Sequence, residues 1–163
     1  MNQTIVLNYD KSLIRSAVLS FWRRTLGLSY IFALLLLSSA LGFSFSNGDR
    51  SWFIGVIATI LVLGILFATA LFIIHYSAST RKLHNTNPPR AELTLSDSGF
   101  VMSSSIGSSI LSWTAITELW QFPQFWLLFL SKAQFITLPL TNVSLEAQSF
   151  ILQQVRANGG KVA

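Results

Sequence analysis

The sequence predicts an α+β membrane protein in which a two-helix transmembrane hairpin precedes a small antiparallel β domain closed by a C-terminal helix. The hairpin is predicted by two runs without Lys, Arg, Asp or Glu, residues 26–48 and 51–80. Such runs are long enough, because a helix needs about 20 apolar residues to cross roughly 30 Å of hydrocarbon. The β domain is predicted by short apolar segments separated by Gly, Ser and Pro after residue 90.

The composition agrees with a membrane protein. Of 163 residues, 52% are hydrophobic and only 10% are charged, and the mean hydropathy is +0.56. Soluble domains carry about 25% charged residues. The chain therefore falls outside the usual soluble class.

Residues 1–25 form the segment before the membrane. The β-branched and apolar run at 4–9 predicts a short strand, and Asp10 is suited to cap the helix that follows. Apolar residues recur at helical spacing over 11–24 and predict an amphipathic helix. This helix lies either in the headgroup plane or with its apolar face on the β domain, and the pattern fits both.

The hairpin occupies residues 26–80, with spans at about 26–45 and 52–76. A short polar connection containing Asn47-Gly48 joins them, which predicts two antiparallel neighbours. A cleaved signal peptide is the rival interpretation of the first span. We expect no cleavage, because about 25 residues precede the span and it has full length.

The basic residues near the ends of the spans predict the orientation. The connecting loop contains Arg50 beside Asp49, whereas basic residues cluster at the other ends of both spans: Lys11, Arg15, Arg23, Arg24, Arg81, Lys82 and Arg90. Basic residues are retained on the cytoplasmic side. We therefore expect a multi-pass membrane protein with both termini in the cytoplasm. Arg23, Arg24, Arg81 and Lys82 are candidates to face the anionic headgroups.

Residues 90–163 form the predicted cytoplasmic domain. Turn residues divide it into six short strands, at 91–95, 100–104, 109–113, 116–121, 126–130 and 134–138. Asn142 or Ser144 is suited to cap a last helix that ends near Ala157. A bent antiparallel meander closed by such a helix is a PH-like arrangement. Because the domain is small, the N-terminal strand or the helix after it is expected to complete its core.

The order of these elements resembles a known family. The resemblance rests on the runs Gly107-Ser108-Ser109-Ile110-Leu111-Ser112-Trp113-Thr114-Ala115-Ile116, Trp126-Leu127-Leu128-Phe129-Leu130 and Phe135-Ile136-Thr137-Leu138-Pro139-Leu140. In these runs and in its two spans, the chain resembles bacterial YcxB-like membrane proteins over nearly its whole length. The resemblance implies a PH-like domain held at the inner membrane, and it brings no set of catalytic residues.

No residue pattern indicates a reaction. The chain has no cysteine, its six acidic residues fall in different predicted elements, and His75 and His84 flank a turn. We therefore predict no enzyme activity, no catalytic, cofactor or metal site, and no small-molecule substrate. The net charge of +5 is concentrated beside the membrane, so we expect no nucleic acid as partner.

An aromatic group in the β domain supplies the candidate interaction site. Its members are Trp120, Phe122, Phe125 and Trp126, predicted to face a partner or the membrane. The run at 125–130 is apolar without alternation, so both of its faces need cover from the helix at 11–24, a membrane surface or another protein.

The leading functional hypothesis is a non-catalytic membrane anchor or adaptor that presents its domain for protein binding. It would be a subunit of a larger assembly, with a membrane protein or further copies of itself as partner. Two alternatives remain open, an immunity protein that neutralises a membrane-active toxin and a sensor of anionic lipid.

Overall fold

The computed structural model describes residues 3–48, 50–85, 88–132 and 134–163. The chain is α+β and divides into two compact units. One unit combines Met1–Ala17 with Ser79–Ala163, and the other is Val18–Ala78. The N-terminal strand and the start of the first helix thus group with the C-terminal strands, although the sequence separates them by both long helices.

Two long helices supply the second unit. Helix α1 runs over Lys11–Ser46 and helix α2 over Trp52–Asn85. Both are long enough and apolar enough to cross a membrane, with mean hydropathies of 2.0 and 2.8 in their most apolar 18 residues. The prediction of two long apolar helices is therefore confirmed.

Helix α1 is interrupted at Gly27. This residue has φ 73° and ψ 164°, whereas the residues on either side are helical. A side chain in this region of φ is strained, so glycine is the residue that tolerates the break. The predicted amphipathic helix and the predicted first span are thus two helical segments that meet at a kink, which the sequence analysis did not anticipate.

Two hydrogen bonds join α1 and α2 inside the second unit. Trp22 Nε1 donates to the Ala68 carbonyl at 2.9 Å, and the Tyr30 hydroxyl donates to the Gly64 carbonyl at 2.7 Å. Each of these carbonyl oxygens thus accepts a side-chain donor in addition to its backbone hydrogen bond within α2. The bonds show that the two helices run antiparallel and contact each other along small residues of α2.

The N-terminal segment forms strand β1 at Gln3–Asn8. Asp10 then caps α1 as predicted, accepting from Leu13 N–H at 2.6 Å and from the Ser12 hydroxyl at 2.9 Å. These bonds stabilise the charged carboxylate, and the bond from Leu13 is the main reason that the pKa of Asp10 is lowered.

The first sheet contains four antiparallel strands in the order β1-β2-β3-β4. The new strands are β2 at Arg90–Leu95, β3 at Gly99–Ser104 and β4 at Gly107–Ser112. Strand β1 pairs with β2 over six residues, from Gln3 opposite Leu95 to Asn8 opposite Arg90. The two long helices are therefore an insertion between neighbouring strands of one sheet.

The second sheet has the order β7-β6-β5-β8. Its strands are β5 at Glu118–Gln121, β6 at Phe125–Ser131, β7 at Gln134–Pro139 and β8 at Lys161–Val162. Strands β5 to β7 are antiparallel, and β8 pairs with β5 in parallel. Helix α3, at Leu145–Ala157, is capped by Ser144, whose side chain accepts from Ala147 N–H.

One core cluster unites the two sheets and α3. Its members include residues from both sheets and from the inner face of the helix, among them Leu7, Leu95, Trp113, Ile151 and Val155. Trp113 is 1% exposed, and its Nε1 donates to the Ser96 carbonyl at 2.9 Å. The polar tip of this large side chain is thereby satisfied inside an apolar core.

The strands differ from the sequence prediction in three details. The predicted meander is divided into two sheets, and Trp113, expected at the end of a strand, begins a 3₁₀ turn at Trp113–Ala115. Strand β8 was not predicted, because the Gly-containing stop after α3 gave no reason to expect pairing by two residues. Otherwise the predicted strands and the last helix occur close to the predicted positions.

Candidate functional site

The predicted aromatic site is divided between the two faces of the second sheet. Trp126 belongs to the core cluster together with Leu119 and Leu128. Trp120 lies opposite Leu127, and successive strand residues alternate between faces, so Trp120 is on the face away from that cluster. The four predicted residues therefore do not form one continuous surface.

Two of the four aromatic residues are buried. Phe125 and Trp126 are each 4% exposed, whereas Trp120 and Phe122 are half-buried. The structure does not place Phe125 or Trp126 on an exposed face of the chain. The reason is local: Trp126 packs in the core, and Phe125 stacks on Phe122 with ring centroids 5.0 Å apart.

The second face of strand β6 is also covered. Leu127 is 0% exposed and Phe129 4%, although both point away from the core cluster. Phe129 packs between Trp120 and Phe135, with centroid distances of 4.5 and 5.5 Å. Both faces of this strand are thus buried, as its unbroken apolar run requires.

Tyr9, which lies two residues before α1, is hydrogen-bonded to this sheet. The Tyr9 hydroxyl donates to the Thr137 carbonyl of β7 at 3.0 Å, one residue before the Asp10 cap. Burial raises the pKa of the Tyr9 phenol. Ile14 and Ala17 in the first two turns of α1 are 7% and 1% exposed. This part of α1 belongs to the same compact unit as the strands.

The predicted basic residues lie at the surface where they are described. Arg23 and Arg24 are exposed on α1 just before the Gly27 break, and Arg81 is exposed on α2. Lys82 is part of α2, and its side chain lies outside the described structure. Each of these residues is outside the charge-free part of its helix.

An exposed strand edge was missed by the sequence analysis. Strand β4 is the last strand of the first sheet and pairs, among the described strands, with β3 alone. Five of its six residues are exposed, including Ile110 at 83%. Ile106, in the turn before β4, is 59% exposed. The uncharged run at 107–112 was visible in the sequence, but the sequence does not show which strand of a sheet lies at the edge.

The exposed edge of β4 offers a surface for binding. Within the described residues, no three His, Asp or Glu side chains are grouped so that they could hold a metal ion. The absence of enzyme activity remains a prediction.

Comparison with known proteins assigns a family to part of the chain. Residues 95–155 match the family described as YcxB-like protein. The match extends from the last residue of β2 into α3 and leaves out β1 and both long helices, so it is shorter than the resemblance noted in the sequence. No curated protein and no solved structure matches the chain.

Proposed function

We propose that this chain, whose residues 95–155 form a YcxB-like domain, is a non-catalytic adaptor of the bacterial inner membrane. Helices α1 and α2 cross the bilayer, and both termini lie in the cytoplasm. The two sheets and α3 form a PH-like domain that binds a protein partner. The chain acts as a subunit of a larger membrane assembly.

The exposure of the two helices supports the membrane location. None of the most apolar 18 residues of α1 is buried in the chain, and only 6% of those of α2 are. The apolar helix of a soluble core has its side chains covered by protein, whereas here large side chains such as Leu28 and Leu63 are 83% and 60% exposed. Exposure of these apolar side chains is favourable in the hydrocarbon of a lipid bilayer.

The pairing of β1 with β2 is the observation on which the topology depends. Six residues before the helices pair with six residues after them. The two strands must therefore lie on one side of the membrane, which requires an even number of crossings. Two spans meet this condition, and the basic residues at the ends next to these strands indicate the cytoplasmic side.

The position of the two long helices between β1 and β2 also supports the adaptor function. The domain is joined to the membrane helices at two points, through β1 and through β2, so its own sheet contains both attachments. Such a domain has little freedom to diffuse away from the bilayer. A partner that binds it is consequently held at the membrane.

The charge distribution favours protein over lipid as the ligand of the domain. Residues 91–131 contain Glu92, Asp97 and Glu118 but no Lys or Arg. This region includes β3 to β6 and all of β2 except its first residue, Arg90. Acidic residues are repelled by anionic headgroups. Over the whole domain, residues 90–163, the four acidic residues are balanced by Arg90, Lys132, Arg156 and Lys161, so the domain has no net positive charge that would attract anionic lipid.

Native mass measurement tests the proposal. We expect the full chain, extracted from membranes in a mild detergent, to show a defined mass larger than one copy of 18.1 kDa. A chain fused after Ala163 to a reporter that is active only in the cytoplasm should be active. A clean monomer in the mass measurement contradicts the adaptor function, and an exported reporter contradicts the topology.

A further inference from the structure

We propose that the free edge of β4 pairs in antiparallel orientation with β4 of a second copy of this chain, joining two four-stranded sheets into one. This inference rests on the proposed function, because it names the partner and the surface of the protein-binding step. Its evidence is the exposure, the composition and the register of β4.

Strand β4 has an unprotected edge. One side of β4 is paired with β3 through six residues without a register shift, and the other side carries no strand among those described. Natural sheet edges are usually protected by charged residues, proline, bulges or a short strand. Residues 107–112 contain no Lys, Arg, Asp, Glu or Pro. The edge is therefore open to another strand.

The other described edges are less suitable. Strand β1 contacts β7, and Asn142 Nδ2 donates to the Val6 carbonyl of β1 at 3.0 Å. Strand β8 has only two residues and includes Lys161. Of the edges in the described part of the chain, that of β4 combines length, exposure and absence of charge.

The two faces of β4 determine how two copies can pair. Leu111 packs against the core cluster, so Ile110, its neighbour, points to the outer face. In an antiparallel pair, residues opposite each other share a face. Around a two-fold axis, this condition allows Ile110 to lie opposite the partner copy's Ile110, and excludes Ile110 opposite Leu111.

This register also matches the chemistry of the outer face. With Ile110 opposite Ile110 of the second copy, Ser108 of each copy lies opposite Ser112 of the other. On the outer face, the apolar side chains are therefore paired with each other, and so are the serine side chains. The next allowed register, centred on Ser109, places the apolar Ile110 against Ser108. The first register is therefore favoured, since cross-strand pairs of apolar side chains contribute roughly 0.2–1 kcal/mol each.

The absence of charge in β4 permits pairing with an identical strand. In a two-fold pair, a charge near the centre of the strand meets the same charge of its partner, and β4 has none. Copies anchored in one membrane are concentrated near each other, which favours weak pairing. A single strand edge is smaller than the typical interface of about 800 Å² per partner, so pairing depends on the high local concentration of copies in the membrane or in a concentrated mild-detergent extract.

Cysteine cross-linking in native membranes tests the register, because the chain has no cysteine of its own. In Ile110→Cys, the two introduced side chains are about 5 Å apart at Cβ, close to the distance of a disulfide. We expect oxidation to convert most of this variant into a dimer on a non-reducing gel. Ser108→Cys is the matched control, since its two copies lie four residues apart along the strands, about 13 Å. We expect at least tenfold less dimer from it.

A double variant and a charge substitution complete the test. Ser108→Cys combined with Ser112→Cys should restore the dimer, because these positions are opposite each other in the favoured register. Adding Ile110→Lys should then reduce the dimer at least tenfold, since like charges meet at the centre. Leu145→Lys is the control for added charge, as Leu145 is also an exposed apolar residue, at 79%.

The outcomes separate this inference from the proposed function. Equal cross-linking by Ile110→Cys and Ser108→Cys indicates random collision and overturns the inference. A large native mass without any Ile110→Cys dimer also overturns it, and then the adaptor binds a different partner or surface. A monomeric native mass together with no dimer contradicts both.

Discussion

Replacing Leu7 by Ala tests whether the strand before the membrane helices is part of the domain after them. Leu7 is 0% exposed in β1 and belongs to the core cluster with Leu95 and Trp113. A buried Leu→Ala change costs about 3 kcal/mol from lost burial and the cavity that remains. Val6→Ala is the matched control, because Val6 is the neighbouring residue on the outer face and is 45% exposed. We expect it to cost about 0.5–1 kcal/mol.

Hydrogen exchange of the full chain in detergent measures the difference. Amides in β2 and β3 exchange when the domain opens, so their exchange rate reports the free energy of unfolding of the domain. A loss of about 3 kcal/mol raises their exchange rate about 150-fold, whereas the control change raises it about two- to fivefold. Equal protection of these amides in the two variants would refute the assignment of β1 to the sheet. Exchange of amides in the apolar part of α2 provides an internal reference, and we expect it to be unchanged.

Substitutions at three further positions test local features. Gly99→Ala should destabilise the domain by about 1–3 kcal/mol in chemical denaturation, because a Cβ there would collide with the Leu111 carbonyl; Gly42→Ala, with nothing within 4 Å, should not. Asp10→Ala should cost about 1 kcal/mol through loss of the helix cap. The pKa of Asp10 is lower in the folded chain than its ordinary value of 3.8. The carboxylate therefore stabilises the fold fully above pH 3.8, and this stabilisation is lost as the pH falls through the folded pKa. Asp10→Asn should accordingly make the free energy of unfolding less dependent on pH in the acid range. Gly27→Ala should lower the thermal midpoint, because alanine is strained at φ 73°, and a raised midpoint would contradict a required break there.

Local signals in the sequence were sufficient for most of the fold. Asp10 was recognised as a cap because its side chain acts on the residues that follow it directly. The strands of the C-terminal domain and α3 were recognised from turns and caps that need no distant partner. The two long apolar helices were recognised from length and absence of charge. Each of these features depends on neighbours in the chain.

The features that the sequence did not reveal depend on residues far apart in the chain. Whether β4 lies at an edge is decided by strands that come before and after it. The parallel pairing of Lys161–Val162 with β5 needs a strand about 40 residues earlier and has too few residues to leave a pattern. Trp126 and Trp120 look alike in sequence, and the sheet decides which of them enters the core. The break at Gly27 was hidden because glycine is common in apolar helices.

The insertion of the membrane helices between β1 and β2 has a consequence for biosynthesis. Strand β1 leaves the ribosome first, but its neighbour in the sheet is about 80 residues behind it. At a translation rate of roughly 5–20 residues per second, β1 waits about 4–16 s before β2 is made. In the proposed topology, both helices enter the bilayer in that time. In that topology the domain folds only after both helices have been inserted, because its first sheet needs β1 and β2 on the same side of the membrane. A chain inserted with a single crossing would have β1 and β2 on opposite sides and could not form this sheet.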